Sequence, residues 1–226
     1  ALAALARRTG ALVIGHQHAG DIGRVLAAGG LPGRVVRAGF AQFDSMLVLG
    51  EPWRQLFERW GLACSIAVCP STFRREVFER AASFTRAPRR EPPARMLYVG
   101  QVGRRKGVHD LLRATRQLLG ERHAVELTVV GPAQLEGELE AARQLATELG
   151  LDGAVRFTGE LNGDALYEQF RAHDLFALPS YNEGIPAVLY EAGAFELPVV
   201  TTPVGAITEL VHDGENGLLV PPGDVN

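Results

Sequence analysis

Residues 127–131 read LTVVG and residues 198–202 read PVVTT. Both are short and nearly continuous in β-branched and apolar residues, whereas a strand with one wet face alternates apolar with polar. Such strands are buried on both faces, which calls for a parallel sheet covered by helices on each side. Working outward, the spacing predicts further strands at 96–100, 125–131, 154–158, 174–178, 198–202 and 217–220. Amphipathic stretches between them predict helices near 107–119, 134–149, 162–172, 186–196 and 205–212. This is the βα alternation of a doubly wound sheet.

The first half carries the same rhythm less regularly. Helices are expected at 1–8, 21–29, 34–42 and 52–60, and strands near 11–17, 46–50 and 65–69. The run TRAPRREPPAR at 85–95 is rich in Pro and Arg and poor in apolar residues, which reads as a linker. The expected organisation is a partial N-terminal Rossmann-like domain at 1–87, a linker at 88–95, and a C-terminal Rossmann-like domain at 96–226 without its final helix. The opening ALAALARRTG and the ending PPGDVN predict a fragment of a longer chain.

Of the 226 residues, 46% are hydrophobic and 22% charged, and the net charge is −3, so no overall basic field exists to recruit nucleic acid. No apolar run approaches the ~18 residues of a membrane span, and no signal peptide is visible. Cys64 and Cys69 match no zinc spacing and read as buried free thiols, on opposite faces of a strand, in a reducing compartment. The expected location is cytoplasmic, with peripheral association at the inner membrane face as a second expectation.

Ligands of open parallel sheets bind beyond the carboxyl ends of the strands. Three loops there carry unusual chemistry. GQVGRRKG, residues 100–107, follows a strand and sets Gly103, Arg104, Arg105 and Lys106 beside a helix N-terminus, a natural seat for phosphate. It fits neither G-x-G-x-x-G nor the P-loop pattern, and a solvated basic turn is the plainer alternative. SYNEGIPAVLYE, residues 180–191, puts Glu183 in a loop before a helix starting near Pro186, with Glu191 inside that helix. Residues 184 to 191 would span roughly 10 Å, and a carboxylate pair at that spacing can hold both ends of a nucleotide-sugar. Glu183 as a helix-capping acid and Glu191 as an exposed helix residue remain the alternatives. The third loop turns at Pro203–Val204–Gly205, where backbone N–H groups are candidate phosphate or sugar contacts. His212 nearby reads as a surface histidine. The backbone around Thr158–Gly159 is a candidate reader of a base edge. In ALVIGHQHAGDI, His16 and His18 share a strand face; metal binding, an acceptor-side role and plain packing all stay open.

With these residues in view, PSYNEGIPAVLYEAGAFELPVVTTPVGAITELVHDGENGLLVPPGD resembles the retaining, nucleotide-sugar-dependent glycosyltransferases of family 4. The resemblance rests on two glutamates separated by seven residues, Glu183 and Glu191, on the E-G-x-P turn Glu183–Gly184–Ile185–Pro186, and on the loop at Gly205. VGQVGRRKGVHDLL looks like that family's phosphate-binding loop with Lys106 at the lysine position, although Gln101 stands where many members have arginine. The resemblance implies a GT-B fold, two Rossmann-like domains with the donor bound by the C-terminal one. It implies a hexosyltransferase acting without a metal or other cofactor on a UDP-, GDP- or ADP-sugar, with a saccharide or lipid-linked acceptor, as in polysaccharide biosynthesis. Lys106 and a neighbouring arginine would stabilise the diphosphate, Glu183 orient the hexose, Glu191 bind ribose, and His18 line the acceptor side. A nucleotide-sugar epimerase of the same fold and a non-catalytic nucleotide-sugar-binding fragment are the competing readings.

Overall fold

The computed structural model describes residues 9–17, 30–70, 75–86 and 91–226. These form two compact units. The first holds the described residues up to 70 together with 182–185 and 204–210; the second holds the described remainder.

In the second unit helix α3 (Arg75–Ala81) precedes a sheet of six strands: β4 (Ala94–Val99), β5 (Val125–Val130), β6 (Val155–Gly159), β7 (Leu175–Leu178), β8 (Val199–Thr201) and β9 (Leu218–Leu219). Their order is β6-β5-β4-β7-β8-β9, and every pairing is parallel. Helices α4 (Val108–Gly120), α5 (Glu138–Glu148), α6 (Asp164–Ala172) and α7 (Ala187–Ala194) connect successive strands. The chain starts at β4, runs outward through β5 and β6, then returns to the other flank of β4 as β7. The carboxyl ends of β4 and β7 therefore flank the point where the winding reverses, the place where such sheets open a crevice. Leu97, Tyr98, Val129, Phe176 and Leu112 are fully buried, as the continuous apolar strands demand.

Helix α5 begins four residues later than its apolar pattern suggests, because Gly137 sits in the left-handed region at φ 80° and turns the chain first. The helix expected at 205–212 is only a 3-10 turn, Ile207–Glu209. Pro186 is the N-cap of α7, one position before the first helical residue. The linker reading holds less well at its ends. Ala94 and Arg95 already pair in β4. Arg86 is anchored: its Nη1 donates to His173 O (2.5 Å), its Nη2 to Phe170 O (2.7 Å) and its Nε to Phe195 O (3.1 Å). One guanidinium thus satisfies carbonyls left open at the ends of α6 and α7, and it also lies 5.3 Å from the Phe84 ring centroid.

His173 is buried between α6 and β5, with Nδ1 2.6 Å from Gln169 O and Nε2 2.9 Å from Thr128 Oγ1. A carbonyl only accepts, so Nδ1 carries the proton and neutral Nε2 accepts from the threonine hydroxyl. Burial pushes this imidazole below its ordinary value. A folded-state value under the unfolded one means a contribution to stability that is whole above about pH 6.5 and is lost as the pH falls through the folded value. We expect unfolding free energy, followed by urea denaturation, to fall between pH 7 and pH 5, by up to about 1.4 kcal/mol per pH unit for one proton. His173→Gln should flatten that slope.

The first unit contains β1 (Ile14–His16), α1 (Gly30–Phe40), β2 (Ser45–Val48), α2 (Glu51–Arg59) and β3 (Ser65–Val68), with a parallel sheet of order β1-β2-β3. Phe57 of α2 is fully buried and packs edge-on against Phe40 (5.2 Å) and Trp60 (5.5 Å). Glycine at the N-cap of α2 brings no side chain to its open amides; instead Glu209 Oε1 accepts from Glu51 N at 2.5 Å. A methyl group on Gly50 would overlap Ala206 and the Glu209 carboxylate. Cys64 and Cys69 are free, as expected, but they flank β3 rather than lie in it and are only half-buried. The helices expected at 1–8 and 21–29 fall outside the described residues.

Candidate nucleotide-binding loops

The loops at the carboxyl ends of the second unit's strands are bonded into a continuous rim. Gly131 N donates to Gly159 O at 2.8 Å and Gly100 N to Val130 O at 2.9 Å. Val102 N donates to Pro132 O (2.7 Å) and Gln134 N to Val102 O (2.8 Å), extending the β4–β5 pairing past the strands. On the other flank, Tyr181 N donates to Arg105 O at 2.9 Å. Thr202 Oγ1 then donates to Ser180 O at 2.5 Å, joining the end of β8. The basic turn after β4 and the start of the loop after β7 are in contact through their backbones.

Gly107 makes that contact tight. It holds φ 72°, in the left-handed region, and a Cβ there would overlap the Pro179 carbonyl. It ends the 3-10 turn Arg104–Lys106 and serves as N-cap of α4 without a capping side chain, so the first amides of a 13-residue helix face the cationic turn. Backbone N–H groups, the positive end of a helix dipole and adjacent Arg and Lys together suit an anion.

The three cations are not equivalent. With the Gln134 amide turned so that its oxygen faces Arg105, the guanidinium donates to it from Nε (2.8 Å) and Nη2 (2.9 Å), which holds it toward the β5 loop. Arg104 N donates to Glu138 Oε1 at 3.3 Å, and a Cβ on Gly103 would overlap that carboxylate. Lys106 lies at the end of the turn, next to Gly107. Behind the turn, Asp110 accepts from Tyr181 OH (2.7 Å) and from Arg113 Nη1 (2.9 Å). The hydrogen bond to Asp110 raises the Tyr181 phenol above its ordinary value. His109 is buried, and among the described residues neither ring nitrogen has a partner. Burial, then the charges of Arg104 and Arg113, push its imidazole down.

Of the remaining expected site residues, Glu191 is part-exposed in α7, and Thr158 sits in β6 with Oγ1 donating to Gly159 O at 2.9 Å. Glu183, Gly184 and Ile185 are buried in a segment grouped with the first unit. Gly205 belongs to the same unit, at φ 64°; a Cβ there would overlap the carbonyl oxygens of Glu183 and Gly184, and Ala206 N donates to Gly184 O at 3.0 Å. Glu183 and Gly205 are thus brought together. His18 lies outside the described residues; His16 is exposed on β1. His212 is exposed, 3.7 Å from Glu215. Among the described residues no cluster of three or more His, Cys, Asp or Glu could hold a metal, and no helix is long and apolar enough to cross a membrane. Tyr181, Gln134 and Glu138 were not singled out from sequence. Tyr181 stands within the quoted SYNEG loop, but its partner is a backbone carbonyl that no residue type announces.

The chain is similar to known proteins over its whole described length. A D-inositol 3-phosphate glycosyltransferase of Corynebacterium jeikeium is 40% identical over 131 residues, covering 56% of this chain and 31% of that protein. One from a Nocardioides species is 37% identical over 158 residues, covering 65% of this chain and 34% of that protein. The chain thus spans about a third of the length of these curated relatives. Among solved structures, a sucrose-phosphate synthase from Thermosynechococcus elongatus superposes with TM-score 0.78 at 26% identity, over 99% of this chain and 58% of that one. HepE of Anabaena, solved in complex with UDP and glucose, superposes with TM-score 0.76 at 21% identity, over 99% of this chain and 61% of that one. The two parallel-sheet units are accordingly of the α/β GT-B type. Residues 79–226, which include every loop of the rim, match the family model described as glycosyl transferases group 1. That match takes in well over half of the chain, and the chain belongs to this family of glycosyltransferases.

Proposed function

We propose that the chain serves a retaining, family-4-type hexosyl transfer from a nucleotide-diphosphate sugar, UDP-linked in the first instance, to a saccharide or lipid-linked acceptor. The observation that carries the proposal is the Tyr181–Arg105 backbone bond, which sets the cationic turn beside the loop leading to Glu183. HepE's complex with UDP and glucose supports the choice of donor. In this reading the diphosphate rests on the α4 N-terminus, with Lys106 and Arg104 meeting the charge that develops as it leaves, the electrostatic contribution that usually dominates. Arg105, already held by Gln134, shapes the turn. The sugar C1–O bond to phosphate breaks, the acceptor oxygen bonds to C1 on the same face, and the departing phosphate oxygen takes the acceptor proton. Glu183 orients the hexose, Glu191 receives ribose hydroxyls, and His18 lines the acceptor side. Charge neutralisation falls to side chains rather than to a metal ion, and membrane association would be peripheral.

A thermal-shift series with UDP, GDP and ADP tests the reading. A diphosphate at a hundredfold excess over its Kd should stabilise the chain by about 2.7 kcal/mol. Lys106→Ala should weaken that binding about tenfold or more, the worth of one charge-assisted hydrogen bond. Should none of the three nucleotides raise the unfolding temperature, the donor assignment fails.

A further inference from the structure

The second unit has a groove of about 900 Å³ that the nucleotide loops do not use. It lies at the opposite edge of the sheet, against the amino-terminal parts of β4, β5 and β6 and the residue that leads into β7, and between α5 and α6. Its size falls in the ~300–1,000 Å³ range of small-molecule sites.

Three arginines line it: Arg95 of β4, Arg143 of α5 and Arg156 of β6. Each is oriented by a contact that leaves other guanidinium N–H groups over. Arg95 Nη1 donates to Ala172 O at 3.1 Å. Arg156 Nη2 donates to Gln169 Oε1 at 3.2 Å and reaches Thr128 Oγ1 at 3.4 Å. Arg143 lies over the Phe157 ring at 6.0 Å. Each guanidinium carries five donors, so one or two such bonds do not exhaust it. The lining also carries acids: Glu168, which pairs with Arg171 at 2.6 Å, and Asp152, which keeps its charge while accepting from Thr147 Oγ1 at 2.7 Å. Glu126 is the third acid, and none of the three arginines makes an ion pair among the described residues.

The floor is polar and rigid. It is the buried His173–Thr128 pair, at 5% and 6% exposure. Burial first, and with it the charges of Arg156 and Arg95, push the His173 imidazole down, against the Gln169 carbonyl and Asp174. With the Thr128 hydroxyl already donated to His173 Nε2, the donors left for an anion are those of the three guanidiniums, whose planar forks match a phosphate.

We propose that this groove is a second anion-binding site, for a phosphate monoester, separate from the diphosphate loops on the other edge of the sheet. Arg143 and Arg156 would grip the phosphate from the α5 and β6 sides, with Arg95 completing the cradle. A free sugar or polyol phosphate and the headgroup of a phosphatidic acid share this chemistry.

Two arms distinguish the sources: calorimetric titration of the chain with glycerol 3-phosphate, and co-sedimentation with phosphatidylcholine vesicles with and without phosphatidic acid. Saturable binding in either arm that weakens about tenfold or more in R143Q/R156Q, is partly retained in R143K/R156K, and is unchanged in K106Q supports the site and names its source. Thermal midpoints matching the parent protein keep loss of folding out of the comparison. Binding in neither arm at probe concentrations up to about 10 mM, beyond the range of a specific site, overturns the proposal. Binding untouched by R143Q/R156Q, or abolished by K106Q, overturns it equally. Because K106Q reports on the diphosphate loop alone, failure here stands apart from failure of the donor assignment.

Discussion

Gly107→Ala is expected to lower the stability of the second unit by about 2–4 kcal/mol and to weaken UDP binding at least tenfold. Two effects add. A non-glycine residue at φ 72° carries a left-handed penalty of about 1–2 kcal/mol. The new methyl group also overlaps the Pro179 carbonyl, and a backbone oxygen cannot rotate out of the way as a side chain can. The loop after β7 must then withdraw from the turn after β4, and the Tyr181 N–Arg105 O bond goes with it. Asparagine at 107 separates the two causes. It tolerates the left-handed dihedral but keeps a Cβ, so it should fail nearly as badly. Urea unfolding and UDP thermal shift read both outcomes. A loss below about 0.5 kcal/mol with UDP binding retained would mean that the two loops are not packed together.

Arg86→Met should be as damaging, although the bonds of Arg86 go to the ends of α6 and α7 and not to the nucleotide loops. Methionine keeps the hydrocarbon stem but leaves the carbonyls of Phe170, His173 and Phe195 without their donor. A part-buried carbonyl stripped of its partner costs about 1–3 kcal/mol, and water entering the gap recovers some of the total, so we expect a loss of about 3–5 kcal/mol. Lysine should rescue little, because a single ammonium cannot reach carbonyls from two helix ends as a planar fork does. Nucleotide affinity measured at low denaturant should hardly change. If Arg86→Met unfolded at the same urea concentration as the parent, the guanidinium would not be joining α6 to α7.

The second unit is largely legible in its sequence because strands buried on both faces must be continuously apolar. LTVVG and PVVTT carry that mark, and each expected strand from 96 onward lies within two residues of the observed one. The ends of α4, α6 and α7 also lie within two residues of the expected ones, but the start of α5 does not. Gly137 delays α5, and its left-handed conformation is a property of the folded backbone. Helix α3 escaped notice because its core contribution, Val77 and Ala81, is too sparse among Arg and Glu to show a periodic face. The run at 85–95 reads as a linker by composition, and composition cannot tell a guanidinium in water from one that closes two helices, as Arg86 does. The sequence offers the candidate site only as residue types, Lys106 with the glutamate at 183; the Tyr181 N–Arg105 O bond joins backbone groups that no residue type marks, and the groove beside His173 exists only once strand register sets Arg95 beside Glu126 and Thr128 beside Arg156.

The carboxylate of Glu209 at the head of α2 carries a practical consequence. A helix near the beginning of the polypeptide borrows its closure from a residue 158 positions downstream. Chimeras that join the front of this protein to the rear of a relative will therefore keep or lose that closure according to what the donor sequence supplies at position 209. Substitutions at 50 and 209 should be inherited as a pair.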